Sequence, residues 1–208
     1  MKLRNVKNII YLIAISFLIL SCKIKKEDNS NVPQIVSWNV GNFTDEFGKA
    51  LPSKPTNLFL QQKVLGSFTN TVNPNGETLS VEALIYNREY TSDDIELVLE
   101  LKFFEYDQYL TSFISNEKAL IIIKCNNKKY FLFNYGEISE YDKGYSELNI
   151  NRLNGEHYIC NLENDLLKLF KTNKDIEFYI SIFDSKTVYL FKLNNANFTK
   201  KIEALKLK

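Results

Sequence analysis

The sequence predicts a mainly β protein, α+β in class, built as a single antiparallel β-sandwich or curled sheet of about eight strands with two short helices. Three observations carry this expectation. Along Ile95–Phe103 the odd positions are all apolar, while Glu96, Glu100 and Lys102 face the other way, the period-2 signature of a half-buried strand. Several further segments alternate in the same manner and are joined in pairs by short polar turns. The 3.6-residue spacing of a helix is confined to two stretches in the last quarter of the chain.

Trp38 is expected to anchor the first strand in the core, since a large aromatic carries much buried area. Leu79–Tyr86 and Ile95–Phe103 follow as strands. Ala119–Ile123 and Tyr130–Tyr135 flank Asn126-Asn127; asparagine tolerates positive φ, so this pair reads as a hairpin. Ile176, Phe178, Ile180 and Ile182 alternate with Glu177, Tyr179 and Ser181, and after Asp184-Ser185-Lys186 a second hairpin returns along Thr187–Leu193. One helix is predicted over about 161–173, with Asn161 as N-cap, Glu163 and Asp165 at the positive end of its dipole, and Leu167 and Phe170 facing inward. The other is predicted over about 197–206, with Asn197 as cap, Phe198, Ile202 and Leu205 on one face, and lysines in the last turn. No repeat or glycine-rich linker divides residues 36–208, which read as one domain.

The amino terminus has a different character. Lys2, Arg4 and Lys7 precede an apolar run from Ile9 to Leu20, broken only by Ser16, and no acid occurs before Glu27. This is the layout of an export signal. The run is well short of the roughly 20 residues needed to cross a bilayer. Ile19-Leu20-Ser21-Cys22 resembles the lipobox of bacterial lipoproteins, with an aliphatic residue, a small residue and then the cysteine. The resemblance implies that residues 1–21 are a lipoprotein signal peptide and that Cys22 becomes a lipidated N-terminus. Two or more acyl chains there would anchor the protein stably, where one chain is marginal. The alternative is an uncleaved N-terminal helix with an incidental cysteine. Residues 22–35, polar at Asn29, Ser30 and Asn31, would serve as a flexible tether. The expected location is the bacterial cell envelope, lipid-anchored at the outer membrane or the periplasmic face, with the membrane as a partner through Cys22.

Charge narrows the partners. The whole chain has 26 lysines and arginines against 25 acids, for a net charge of +1. Residues 1–21 hold three basic groups and no acid, so their loss leaves a net of −2. Such a domain has no general attraction for nucleic acid, and no lysine-rich helix face marks a second membrane contact. A second resemblance joins Trp38, Asp45, Phe47, Gly48, Gly66-Ser67-Phe68-Thr69-Asn70 and the strand from Leu79. These residues look like a pattern from uncharacterised bacterial proteins, and the closing order of helix, strand, turn, strand and helix looks separately like small exported β-sandwich proteins of the invasion-associated locus B type. Neither brings an activity or a catalytic residue. Read alone, Gly48 and Gly66 suit turns or tight strand approaches, and Asp45-Glu46 reads as a turn.

Chemical equipment is sparse. His157 is the only histidine, and Cys160 lies three residues on, at the opposite face of a strand. That placement does not make a nucleophile–base pair. His157, Cys125 and Cys160 have no recognisable zinc spacing, so neither a metal nor another cofactor is expected. Cys125 and Cys160 are either one disulfide or two buried thiols. Asn42 and Asn197 both open "NFT" sequons, discounted in a bacterial lipoprotein. The richest surface stretch is 135–145, where Tyr135, Tyr141 and Tyr145 interleave with Glu137, Glu140 and Asp142. Such a loop suits a sugar, a peptide or Ca²⁺, though the Ca²⁺-loop pattern is absent. The leading expectation is a noncatalytic binding or structural module recognising a protein or glycan partner. The alternative is a hydrolase of an envelope polymer, with Glu137, Glu140 or Asp142 working beside Asp45 or Glu46.

Overall fold

The computed structural model describes residues 35–91, 94–105, 116–133, 136–140, 151–154, 157–162, 164–183 and 185–206. The strands are β1 (Ile35–Asn42), β2 (Leu58–Thr69), β3 (Glu77–Thr91), β4 (Asp94–Glu105), β5 (Asn116–Cys125), β6 (Lys128–Leu132), β7 (Ile138–Glu140), β8 (Asn151–Asn154), β9 (His157–Asn161), β10 (Asp175–Ile182) and β11 (Thr187–Asn194). Helix α1 spans Asn164–Thr172, and α2, Phe198–Lys201, runs on into a 3-10 turn at Ile202–Leu205. All eleven described strands belong to one sheet; ten follow the order β10-β11-β2-β3-β4-β9-β8-β5-β6-β7, and β1 pairs with β2 off this path. Because β10 also pairs with β5, the sheet curls until its ends meet. Every pairing is antiparallel. No helix among the described residues is long and apolar enough to cross a membrane.

The alternation read from the sequence sets the inside. Leu99, Leu101 and Phe103 face inward from β4, as do Ile176, Phe178 and Ile180 from β10, and all are buried. Phe178 and Phe191, register partners on β10 and β11, stack with ring centres 4.9 Å apart. Tyr189 stacks on Phe103 at the same distance and gives its hydroxyl to Glu105 at 2.7 Å. Aromatic rings fill the interior, as in small barrels whose bore holds side chains only. At the β5–β6 turn Asn126 and Asn127 adopt φ of 46° and 62°, the geometry expected of that hairpin.

The curl depends on a seam between β2 and β11. These strands share backbone hydrogen bonding only where Ser67–Thr69 meets Val188–Leu190. A Cβ at Gly66 would run into the Leu190 carbonyl oxygen, so only glycine lets β11 pass this close. Beyond that point side chains replace the ladder. Gln62, fully buried, donates from Nε2 to the Asn194 carbonyl at 2.8 Å and accepts the Asn194 N–H at 2.9 Å. Strand β1 lies along the same edge of β2. Asn197 accepts the Trp38 backbone N–H at 3.1 Å and donates to its carbonyl at 2.9 Å. The Trp38 indole, completely buried, donates to Asn195 Oδ1 at 2.8 Å and lies against Phe170 and Phe198.

Both helices differ in their boundaries from the sequence expectation. Asn161 is not a cap, because it is registered with Val98 in the sheet and the Leu162 N–H extends that ladder to the Leu97 carbonyl. The helix therefore begins at Asn164 and buries Leu166 and Phe170, while Leu167 is only half-buried. Asn197 flanks α2 but makes no capping bond, since its amide is spent on Trp38. Gly48 has φ of 77°, and the Asp45 carboxylate accepts the N–H groups of Phe47 and Lys49, which makes Asp45-Glu46 a turn.

Cys125 and Cys160 are separate buried thiols, the second of the two sequence readings. Burial pushes Cys160 up to about 12 from 9.0, the Tyr158 hydroxyl opposing the shift. The folded thiol thus keeps its proton where the unfolded one ionises. Its contribution is fully present below pH 9 and is lost as pH rises toward 12. At pH 10.5 this loss is on the order of 2 kcal/mol. Urea unfolding at pH 8 and pH 10.5, followed by the fluorescence of Trp38, should show that fall in the wild type and a smaller one in Cys160→Ala. Gln62→Leu leaves both backbone groups of Asn194 without their partner and should lower stability by about 2–3 kcal/mol at neutral pH in the same assay.

Candidate functional site

Of the loop residues singled out in the sequence, Tyr135, Tyr141, Asp142 and Tyr145 lie outside the described residues, as does Cys22. Glu137 and Glu140 are described and exposed. A tight turn holds the start of this segment: the Gly136 N–H donates to the Phe133 carbonyl and the Phe133 N–H to the Glu137 carbonyl, both at 2.9 Å. Glu140 ends β7 and pairs with Lys128 at 2.6 Å. That hydrogen bond and the Glu140 charge hold the Lys128 ammonium above its ordinary range. The Asp45 carboxylate is occupied by two backbone N–H groups.

A different constellation forms on the outer wall of the sheet. Three rows of outward residues cross β2, β3, β4 and β9 in register: Lys63, Glu82, Lys102 and His157; Gln61, Leu84, Glu100 and Ile159; Phe59, Tyr86, Val98 and Asn161. Glu100 sits in the middle and is only 8% exposed. Its Oε1 lies 3.7 Å from Lys102 Nζ and 3.7 Å from His157 Nδ1. Tyr86 hydrogen-bonds to Glu100, and burial, with the Glu100 charge and that bond, pushes the phenol up to about 12. Tyr86 therefore stays a neutral donor across the physiological range. Beside these groups Gln61 donates to Glu82, which pairs with Lys63 at 3.3 Å. Phe43 packs on Phe59 and edge-on to Tyr86, with ring centres 4.9 and 5.6 Å away.

The wall and the loop are neighbours. Gly136 lies so close to Asn161, at the end of the third row, that a Cβ there would overlap the Asn161 carbonyl. With φ at 77°, glycine is also the residue this backbone accepts. Gly136 therefore lies at the Asn161 end of the Tyr86–Glu100 patch.

Scans against protein-family models, curated proteins and solved structures return no match for this chain. Its chemistry is read from these side chains alone. The patch presents ammonium, imidazole, amide and phenol donors beside two carboxylates and a cluster of aromatic rings, a set suited to gripping a polar surface by many directed bonds. His157 is half-buried on the outer wall, whereas Cys160 is 2% exposed on the opposite face, so the two do not form a reactive pair. Among the described residues no three His, Cys, Asp or Glu side chains gather as a metal site.

Sequence reasoning passed over Glu100, Lys102 and Tyr86 as members of a site because alternation marks them only as outward-facing. Their meeting with His157 depends on β9 pairing with β4 across more than fifty residues of chain. A local signal exists only in hindsight: Glu100 is an outward acid that is nonetheless buried. Replacing Glu100 with Gln removes a charge and a charge-assisted bond acceptor, so Tyr86 should ionise at lower pH. Ultraviolet titration should show that downward shift, and Tyr86→Phe should eliminate the same transition.

Proposed function

We propose that this protein is a noncatalytic recognition module, held to a membrane of the bacterial envelope by lipid at Cys22, that binds a protein or envelope polymer through its outer wall. The observation that carries this reading is the Tyr86–Glu100–Lys102–His157 patch on the outer wall. Binding on the outside also agrees with an interior occupied by stacked aromatic side chains. Of the carboxylates considered for hydrolysis, Glu140 pairs with Lys128 and Asp45 is held within its turn. The lipobox-like Ile19-Leu20-Ser21-Cys22 supports the anchor.

Two measurements test this. In a bacterial host, Cys22→Ser should abolish labelling by a fatty-acid analogue and move the protein from the membrane to the soluble fraction; unchanged labelling would exclude the anchor at Cys22. Full-length protein should capture a specific envelope component, and Glu100→Lys should reduce capture at least tenfold, the range for disrupting a central charged contact. Capture that is indifferent to Glu100→Lys would exclude the wall as the binding face. Hydrolysis of an envelope polymer that is lost in Glu140→Gln would favour the enzyme reading instead.

A further inference from the structure

A cleft of about 240 Å³ opens where the helices meet the sheet, and none of its lining residues belongs to the outer-wall patch. Its sides come from the far ends of β3 and β4 (Asn87, Ile95 and Leu97), from α1 (Leu167 and Lys171) and from the C-terminal 3-10 turn and the residue after it (Ile202, Leu205 and Lys206). Five of these eight residues are aliphatic, both charged ones are lysines, and none is an acid. We propose that this cleft binds a small amphiphile with a short aliphatic tail and an anionic head, of the medium-chain monocarboxylate class.

Shape, lining and charge each contribute to the assignment. Asn87, 7% exposed, donates from Nδ2 to the Leu205 carbonyl at 2.7 Å and to the Pro55 carbonyl at 3.2 Å. Those bonds fix the 3-10 turn as a wall, so the cleft is built into the folded state. Leu167 is the residue that the sequence places in the core and the structure leaves half-buried. It faces the cleft, which accounts for an apolar side chain at that position on a helix whose deep contacts come from Leu166 and Phe170. The volume lies below the roughly 300 Å³ at which sites for drug-sized ligands begin, which limits the tail to one short chain.

The charge determines the head group. Lys206 is already paired with Glu203 at 2.5 Å. Lys171 has no carboxylate partner among the described residues. A carboxylate seated at the rim would meet the Lys171 ammonium while its tail covered Leu167, Ile95 and Leu97. An amine of the same length would meet the unpaired Lys171 ammonium instead, so the site discriminates by sign.

The test uses the Gln34–Lys208 unit, which holds every residue of the core described above. Sodium octanoate is titrated calorimetrically, with octylamine as the opposite-charge probe. Octanoate should bind saturably and octylamine should not. Lys171→Glu, a surface change, should weaken octanoate about tenfold or more, and Leu167→Trp should abolish binding by filling the cleft. No saturable binding, equal binding of octylamine, or unchanged affinity in Lys171→Glu would each overturn the proposal. Far-ultraviolet circular dichroism confirms that each variant is folded before its titration is interpreted.

Discussion

The whole architecture depends on a seam that backbone hydrogen bonds close only in part. Curling one antiparallel sheet until β10 meets β5 forces β11 away from β2 beyond Leu190. Parted strands leave buried N–H and C=O groups, and each unsatisfied group costs about 1–3 kcal/mol. The chain answers with primary amides, which carry a donor and an acceptor on one short arm and so imitate a peptide unit. Gln62 does this for Asn194, and Asn197 for Trp38. Asn195 completes the set by accepting the indole N–H, although its own Nδ2 is buried without a partner. That residual cost is the mark of a site where keeping the tryptophan in place outweighs full satisfaction of the amide.

The same seam explains which parts of the fold were legible in the sequence. Where the inward residues are all aliphatic or aromatic, as along Ile95–Phe103 and Ile176–Ile182, period-2 alternation names both the strand and its buried face. In β2 the inward positions include Gln62 and Gly66, two residues that look like a solvated face and a turn. Their reason for being there lies on β11, more than 120 residues away, which no local window can contain. Asn161 and Asn197 failed as caps for a related cause. Asparagine before an apolar helical pattern is a fair capping signal, but in one case a strand register and in the other a tryptophan backbone took up the residue.

The candidate sites show the same division. The signal-like start and the cysteine at position 22 are local patterns, and local patterns can be read directly. The outer-wall patch is produced by three strand registers acting together, so that Lys63, Glu82, Lys102 and His157 form a straight row only after folding. Residues 135–145 stand out by composition, whereas the close approach of Gly136 to Asn161 is a contact that composition does not reveal. Aromatic stacks occupy the interior, and the polar patch lies on the outer wall. The helical end offers a separate, smaller and more apolar opening.

Trp38 has one further consequence, which concerns order in time. Its partners Asn195 and Asn197 lie 157 and 159 residues downstream. During synthesis β1 is therefore among the first ordered segments to emerge and among the last to be secured. Contacts of such long sequence separation slow folding, because much of the chain must be arranged before they form. Until the amides arrive, the tryptophan is an exposed apolar group at the leading end of the domain. Seating it requires that the chain be present through Asn197, and a chain cut before that residue would display an unlatched strand to whatever inspects the products of synthesis.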